Sequence, residues 1–347
     1  MSDSDTRPDN TRKSLVIGAT GFLGSHVVRE LVARGEQVRV LVRPSSNTRP
    51  LDGLAIESAV GELTDTSAVE SAVHGCSIVY YCAVDTRAWL TDPAPLYATN
   101  VDTLRVVLDV AIRHPLDAFV FTSTMSTIGR HGARPADEDD EFDWATEAGH
   151  YVRTRVAAEE LVLGYARDHG LPAMAMCVAN TYGADDWQPT PHGAFVAGAA
   201  LGRLPFTVSG VRAESVGITD AAHALILAAE RGRPGQRYIV AERSIDLGEI
   251  IRIAATTTGR PTPRLVLPRQ VLSMIGTFGT IAARLTGRSV RLTKTTVRLM
   301  HWMPEMSHAK AERELGWQPR PVTEAIRDGA RFWVDRTTRH HRNLTEH

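Results

Sequence analysis

A chain of 347 residues is too long for one small module and accommodates two domains, or one domain with a large elaboration. Its 43% hydrophobic and 23% charged residues are ordinary for a globular protein and exclude wholesale disorder. The 39 basic and 40 acidic residues leave a formal charge of -1, so no global field draws in nucleic acid or an anionic membrane. Cys76, Cys82 and Cys177 form no CxxC pair, which argues for reduced thiols and against a disulfide framework or a Cys-rich zinc site. Met1–Lys13 is polar and unlike a signal peptide, and no run of about 18 apolar residues is present to span a membrane. The expectation is a cytoplasmic protein with no metal site and no spanning segment.

From the N-terminus, Ser14–Ile17 reads as a strand, Gly24–Arg34 as a helix and Gln37–Val42 as a second strand. Further strands are predicted at Ser77–Tyr81, Ala118–Thr122 and Ala173–Val178, with helices at Ser67–Val73, Tyr97–Arg113 and Tyr151–Asp168. This alternation predicts a parallel sheet covered by helices on both faces. After about residue 180 the pattern loosens, with strands at Ser215–Ile218 and Gln236–Val240 and helices at Ala221–Glu230 and Leu247–Thr257. The fold class is therefore α/β: a Rossmann-type doubly wound parallel sheet with a smaller, partly interleaved C-terminal substrate lobe. The first domain is placed at 13–183, with contributions from about 215–242, and the lobe at 184–335. Residues 1–12 and 337–347 read as flexible tails, in which His340 and His341 are solvated. Asp137–Asp143 holds six acids in seven positions; contiguous and without a convergent His, they read as a solvated loop.

The most informative segment is Val16-Ile17-Gly18-Ala19-Thr20-Gly21-Phe22-Leu23-Gly24. Between a strand and a helix, Gly18 permits a tight turn, Gly21 lets backbone approach a pyrophosphate, and Gly24 allows close helix–strand packing. An acid about 20 residues on would bind the ribose of NAD. Here the second strand runs into Arg43, suited to a 2′-phosphate, with Arg49 as a second partner, so NADP(H) is favoured over NAD(H). Two further segments carry hydroxyls to the expected crevice. Phe119–Thr124 leaves a buried strand at Thr122, Ser123 and Thr124, and Tyr151 opens a helix on which Arg155 lies four residues away on the same face.

With these motifs the chain resembles the extended short-chain dehydrogenase/reductases, in their dihydroflavonol reductase-like and 3β-hydroxysteroid dehydrogenase-like branch. Besides the Gly18–Gly24 turn, the resemblance rests on Gly61-Glu62-Leu63-Thr64-Asp65, Asn100-Val101, Thr122–Thr124, Asn180-Thr181-Tyr182-Gly183 and Lys310–Trp317. It extends from Ser14 to Trp333. The resemblance implies that Thr20, Phe22 and Leu23 line the pyrophosphate turn and that Glu62 and Leu63 flank the adenine. It places Cys82, Ala83 and Val84 along the cofactor, Asn100 near the site, and Val178 and Asn180 near the nicotinamide or substrate. Thr124 takes the role of the Ser/Thr that positions the substrate oxygen, and Tyr151 that of the general acid/base. A homodimer through the tyrosine helix is also implied.

The sequence departs from that pattern at Arg155, where the family usually has Lys. An arginine keeps the positive charge but cannot pass on a proton. That favours carbonyl reduction, in which Tyr151 starts protonated, over alcohol oxidation, which needs tyrosinate. Milder departures are Ile17, Glu62, Thr103-Leu104 and Cys177-Val178. On the substrate side, Trp89, Trp187, Phe195 and Phe206, with His192, are candidates for an apolar pocket; ordinary core packing and a structural histidine are the competing readings. The expected activity is reduction of a ketone or aldehyde on an apolar small molecule. Alternatives are a hydroxysteroid-type dehydrogenase, a nucleotide-sugar epimerase or dehydratase, and a non-catalytic NADP-binding sensor.

Overall fold

The computed structural model describes residues 12–90, 92–286, 294–299 and 303–345. Lys13–Ile17 (β1) leads through a glycine turn into Phe22–Ala33 (α1), then Gln37–Val42 (β2), Glu57–Val60 (β3), Thr66–Val73 (α2) and Ile78–Tyr81 (β4). Ala94–Tyr97 (α3) passes through a π-helical turn at Ala98–Asp102 into Thr103–Ala111 (α4). Ala118–Thr124 (β5), His150–His169 (α5) and Ala173–Val178 (β6) complete the alternating half. Beyond them come Asn180–Tyr182 (β7), Gly193–Ala200 (α6), Phe206–Ser209 (β8), Arg212–Gly217 (β9), Ile218–Arg231 (α7) and Arg237–Val240 (β10). Arg243–Asp246 (β11), Leu247–Thr257 (α8), Leu265–Pro268 (β12), Arg269–Thr286 (α9), Lys294–Leu299 (α10), Ala309–Leu315 (α11) and Val322–Thr345 (α12) follow. No helix among the described residues is long and apolar enough to cross a membrane.

Seven strands form one parallel sheet in the order β10-β6-β5-β4-β1-β2-β3. Because successive strand residues point to opposite faces, Leu15 and Ile17 enter one core while Val16 enters the other. α2, α4 and α5 cover the first face and α1 and α7 the second. This is the Rossmann-type doubly wound arrangement. The strand order reverses between β1 and β4, and ligands of such sheets bind at the C-terminal strand ends beside that reversal. The lobe adds a three-stranded sheet, β11-β9-β7, a two-stranded one, β12-β8, and its own core under α6, α8 and α12.

Several sequence expectations need revision. Strand β3 went unrecognised because Glu57-Ser58-Ala59-Val60 is an edge strand with mostly exposed side chains and no apolar alternation. The helix α12 continues to Thr345, through most of the expected tail; the side chains of His340 and His341, and residues 1–11, lie outside the described residues. Within the expected lobe, Ala311, Leu315 and Trp317 pack into the core shared with α7 and β10. The acidic loop is not wholly solvated. Glu138 is buried and accepts a hydrogen bond from the Ile239 N–H (2.7 Å), occupying a donor that edge strand β10 would otherwise leave unpaired.

A buried carboxylate joins three elements behind the end of β5. Glu159 of α5 accepts hydrogen bonds from Ser123 and from Thr127 Oγ1 (2.7 Å), and pairs with Arg237 Nε of β10 at 2.9 Å. Arg237 also donates to the Thr127 carbonyl (2.9 Å). Removing one partner of such a pair strands the other, so Glu159→Ala should lose about 3–5 kcal/mol in urea denaturation. Glu159→Gln, which retains hydrogen-bonding oxygen, should lose less. An alanine variant as stable as wild type would contradict this account.

Candidate active site

The turn after β1 is shaped by what cannot fit in it. Gly18 has φ +80°, and a Cβ there would lie 2.6 Å from the Ala83 amide nitrogen and from the Cys82 carbonyl carbon. A Cβ on Gly24 would come within 2.3 Å of the Gly18 carbonyl oxygen. The exit of β1, the exit of β4 and the first turn of α1 are thus in backbone contact. Gly21 is less confined, its Cβ position standing 3.2 Å from the same oxygen. It caps α1 without a side-chain hydrogen bond, and no acid occupies the first turn. The amide-positive helix end therefore meets no competing carboxylate of its own first turn, as a pyrophosphate site requires. Thr20 sits half-buried in the turn, Leu23 packs on the core, and Phe22 meets His26 edge-on at 5.5 Å.

Arg43 follows β2 on the same sheet edge. Its side chain is exposed, without a partner among the described residues, while its backbone closes a turn with Ser46. Arg49 is instead held over the Trp187 indole, 4.6 Å from the ring centroid. Glu62 is exposed after β3 and Leu63 is tucked against the core. After β4, Cys82 Sγ accepts from Thr122 Oγ1 (3.3 Å), and burial raises its thiol to about 11, so it stays a thiol. Ala83 and the exposed Val84 continue along the crevice towards Asp85. Asn100 is fully buried: its Oδ1 accepts from the Asp85 N–H (2.7 Å), and its Nδ2 donates to the Asp85 carbonyl (3.1 Å) and to Thr154 Oγ1 (3.1 Å). It ties the cofactor-edge loop to α5, a positioning role.

Tyr151 lies in the first turn of α5 with its hydroxyl near enough to Thr124, at the end of β5, to interact with it. Burial raises the phenol above its ordinary pKa, against the opposing pull of the Arg155 cation and Thr124. Arg155 is buried, donates from Nη2 to the Thr122 carbonyl, and stacks its guanidinium over Phe121 at 4.9 Å. Its Nη1 is buried with no hydrogen-bond partner. A cofactor ribose hydroxyl would satisfy that orphan donor, and together with the Cβ-free cradle at Gly18 and Gly24 it makes these residues fit a dinucleotide. Val178 lies beside Thr124 in the sheet, and Asn180 begins β7 on the same strand exit. Glu159, four residues beyond Arg155 on α5, was not singled out; an acid at i+4 from a buried cation was its only sequence signal.

The expected pocket residues occupy several different surroundings. Trp187 packs between Arg49 and α12, edge-on to Phe332 (5.1 Å), with Arg336 Nη1 donating to its carbonyl (2.9 Å). Phe195 and Phe206 pack against the lobe core, and Trp89 sits half-buried in a turn beyond Val84. His192 donates from Nε2 to the Thr181 carbonyl (2.9 Å) and meets Tyr182 edge-on; burial lowers it to about 4. It is a neutral, structural histidine. Among the described residues no three His, Cys, Asp or Glu side chains gather to hold a metal ion.

Groups of opposite titration sense meet at the segment between β7 and α6. His26 of α1 donates to the Ala184 carbonyl (3.2 Å), and burial lowers it to about 4. Asp186, which accepts from the Thr190 N–H and hydroxyl, is raised by burial to about 6. A histidine depressed below its unfolded pKa near 6.5 contributes stability above that pH and loses it as pH falls towards 4. A carboxyl raised above its unfolded value does the reverse, losing stability as pH rises through 4 to 6. Thermal melts at successive pH values should show His26→Gln with a shallower rise of stability with pH than wild type, and Asp186→Asn with a steeper one. Parallel profiles for all three proteins would refute both assignments.

The NAD dependent epimerase/dehydratase family model matches residues 14–241. A curated relative, sterol demethylase protein B of Methylococcus capsulatus, is 29% identical over 326 residues, covering 93% of this chain and 98% of the relative. The 3-beta-hydroxysteroid dehydrogenase of Mycolicibacterium neoaurum is 25% identical over 342 residues, covering 93% and 91%. Among solved structures, the crystal structure of gox2253 superposes with a TM-score of 0.81 at 32% identity, covering 93% of this chain and 98% of that one. The chain belongs to the NAD dependent epimerase/dehydratase family and is an NAD(P)-dependent oxidoreductase of the extended short-chain dehydrogenase/reductase type.

Proposed function

We propose that the protein reduces a ketone or aldehyde on an apolar small molecule, with NADPH as the cofactor and Tyr151 as the proton donor. The observation that carries this reading is the state of Tyr151: burial keeps it a phenol, and its hydroxyl meets Thr124. Reduction of a carbonyl consumes one proton, and a neutral phenol can give it. Thr124 would hold the substrate oxygen beside that phenol. Arg155 supplies fixed positive charge next to the tyrosinate that proton donation leaves, and its free Nη1 would hold the cofactor ribose. The nicotinamide, when bound, supplies the hydride. Alcohol oxidation starts from tyrosinate, which burial opposes, so a dehydrogenase working in that direction is disfavoured. The relatives' names, a sterol demethylase component and a steroid dehydrogenase, support an apolar substrate.

Tyr151→Phe should lower kcat by about 10²-fold or more while the dissociation constant for NADPH changes little. Unchanged turnover would remove Tyr151 from the chemistry. One observation favours a second reading, a non-catalytic sensor: Arg155 stands where the family has Lys. Tight NADPH binding without turnover on a panel of apolar aldehydes and ketones, with activity appearing on Arg155→Lys, would establish that reading instead.

Preference for NADPH rests on Arg43, a cation without a partner among the described residues, just past β2 where an acid would bind the ribose of NAD. Fluorescence titration should give tighter binding of NADPH than NADH, and Arg43→Ala should weaken NADPH by roughly 10- to 100-fold while sparing NADH. Equal affinities in the wild type would reverse the cofactor assignment.

A further inference from the structure

Among the described residues, one face of α9 is left uncovered. Leu272 turns into the lobe core, whereas Val271, Met274, Ile275 and Phe278 are 36%, 59%, 42% and 65% exposed. Their i, i+3, i+4, i+7 spacing places them in a single ridge along the helix. In β12, which runs directly into α9, Leu265 and Val266 are 57% and 52% exposed. Large apolar side chains gathered this way on a surface mark an interaction site.

The charge around the ridge is one-sided. Between Glu249 and Glu305 the sequence holds nine of the chain's 39 basic residues and none of its 40 acids. Of these, Arg260, Arg264 and Arg269 are exposed and have no carboxylate partner among the described residues. Arg260 and Arg264 also line an open cavity of about 530 Å³ with Leu204 and Pro263, between the end of α8 and the start of β12. A second copy of the chain meeting this face by twofold symmetry would set like charges against each other. An apolar ridge within a stretch of sequence that carries cations and no acid suits a surface that is apolar at depth and anionic at its rim.

We propose that the face formed by β12 and α9 docks on an anionic lipid bilayer, with Val271, Met274, Ile275 and Phe278 entering the acyl boundary and Arg260, Arg264 and Arg269 meeting lipid phosphates. This is surface attachment, independent of the chemistry at Tyr151. Cosedimentation of the full chain with phosphatidylcholine vesicles, and with vesicles containing about a third phosphatidylglycerol, tests it. The protein should pellet with the anionic vesicles, not with phosphatidylcholine alone, and less as salt rises. Met274→Glu with Phe278→Glu, and separately Arg264→Gln with Arg269→Gln, should each reduce binding roughly tenfold without changing the circular dichroism spectrum or thermal midpoint. Wild-type protein that stays in solution, or pellets equally with neutral and anionic vesicles, overturns the proposal, as does binding that neither double variant weakens. A dimer that Met274→Glu with Phe278→Glu dissociates, in the absence of vesicle binding, makes a second copy the occupant and overturns it as well.

Discussion

A hydrogen in place of a β-carbon at Gly18 lets the exit of β1 lie against the exit of β4, and the rest of the site is arranged around that contact. No side chain fits between Gly18 and the Cys82–Ala83 peptide, and none fits between Gly24 and the Gly18 carbonyl. The two constraints bring the N-terminus of α1 to the point where the strand order reverses. Several of the expected cofactor residues lie at or just beyond the C-terminal ends of neighbouring strands. Arg43 comes from β2, Glu62 from β3, Cys82 from β4, Thr122 from β5 and Val178 from β6. The parallel sheet makes this possible because its C-terminal edge collects loops from segments far apart in the chain.

Holding the reacting edge in place falls to buried polar groups behind it. Asn100 satisfies both backbone groups of Asp85 and reaches Thr154, so the loop after β4 and the helix bearing Tyr151 cannot shift independently. Glu159 joins Ser123, Thr127 and Arg237 behind Thr124. In a low-dielectric interior satisfied polar groups stiffen such a network, whereas an unsatisfied buried donor, as Arg237 Nε is here despite its ion pair, is costly. Arg155 Nη1 is another such donor, and it belongs to the helix face where a ribose hydroxyl would complete it. Tyr151, Arg155 and Glu159 thus follow one another at four-residue spacing along one helix.

The balanced formal charge describes neither half of the surface that matters. Arg43 is an exposed cation without a partner among the described residues, and the stretch between Glu249 and Glu305 holds nine basic residues and no acid. A total near zero is compatible with strong local fields, because charges separated by more than a Debye length act independently at physiological salt. The lobe consequently presents a cationic, partly apolar face while the remainder of the chain carries the excess of acids.

Much of the nucleotide half was legible because its constraints are local. A glycine needed for positive φ, an apolar strand and a Tyr–Arg pair one helical turn apart are all properties of neighbouring residues, so Gly18, the parallel strands and the Tyr151–Arg155 face could be placed from order alone. Edge strand β3 and the short strands of the lobe lacked such a local pattern. Tertiary structure alone decided which distant groups meet. Trp187 carries both Arg49 and Arg336 against its indole, Glu138 completes the edge of β10, and Trp317 returns to the first domain's core. The pattern at Val271, Met274, Ile275 and Phe278 makes the same point most sharply. Its spacing identifies one face of a helix, but which way that face points depends on what packs against the opposite side, and here Leu272 takes the inward position. Periodicity defines a stripe; only the neighbours across space determine whether it is core or surface.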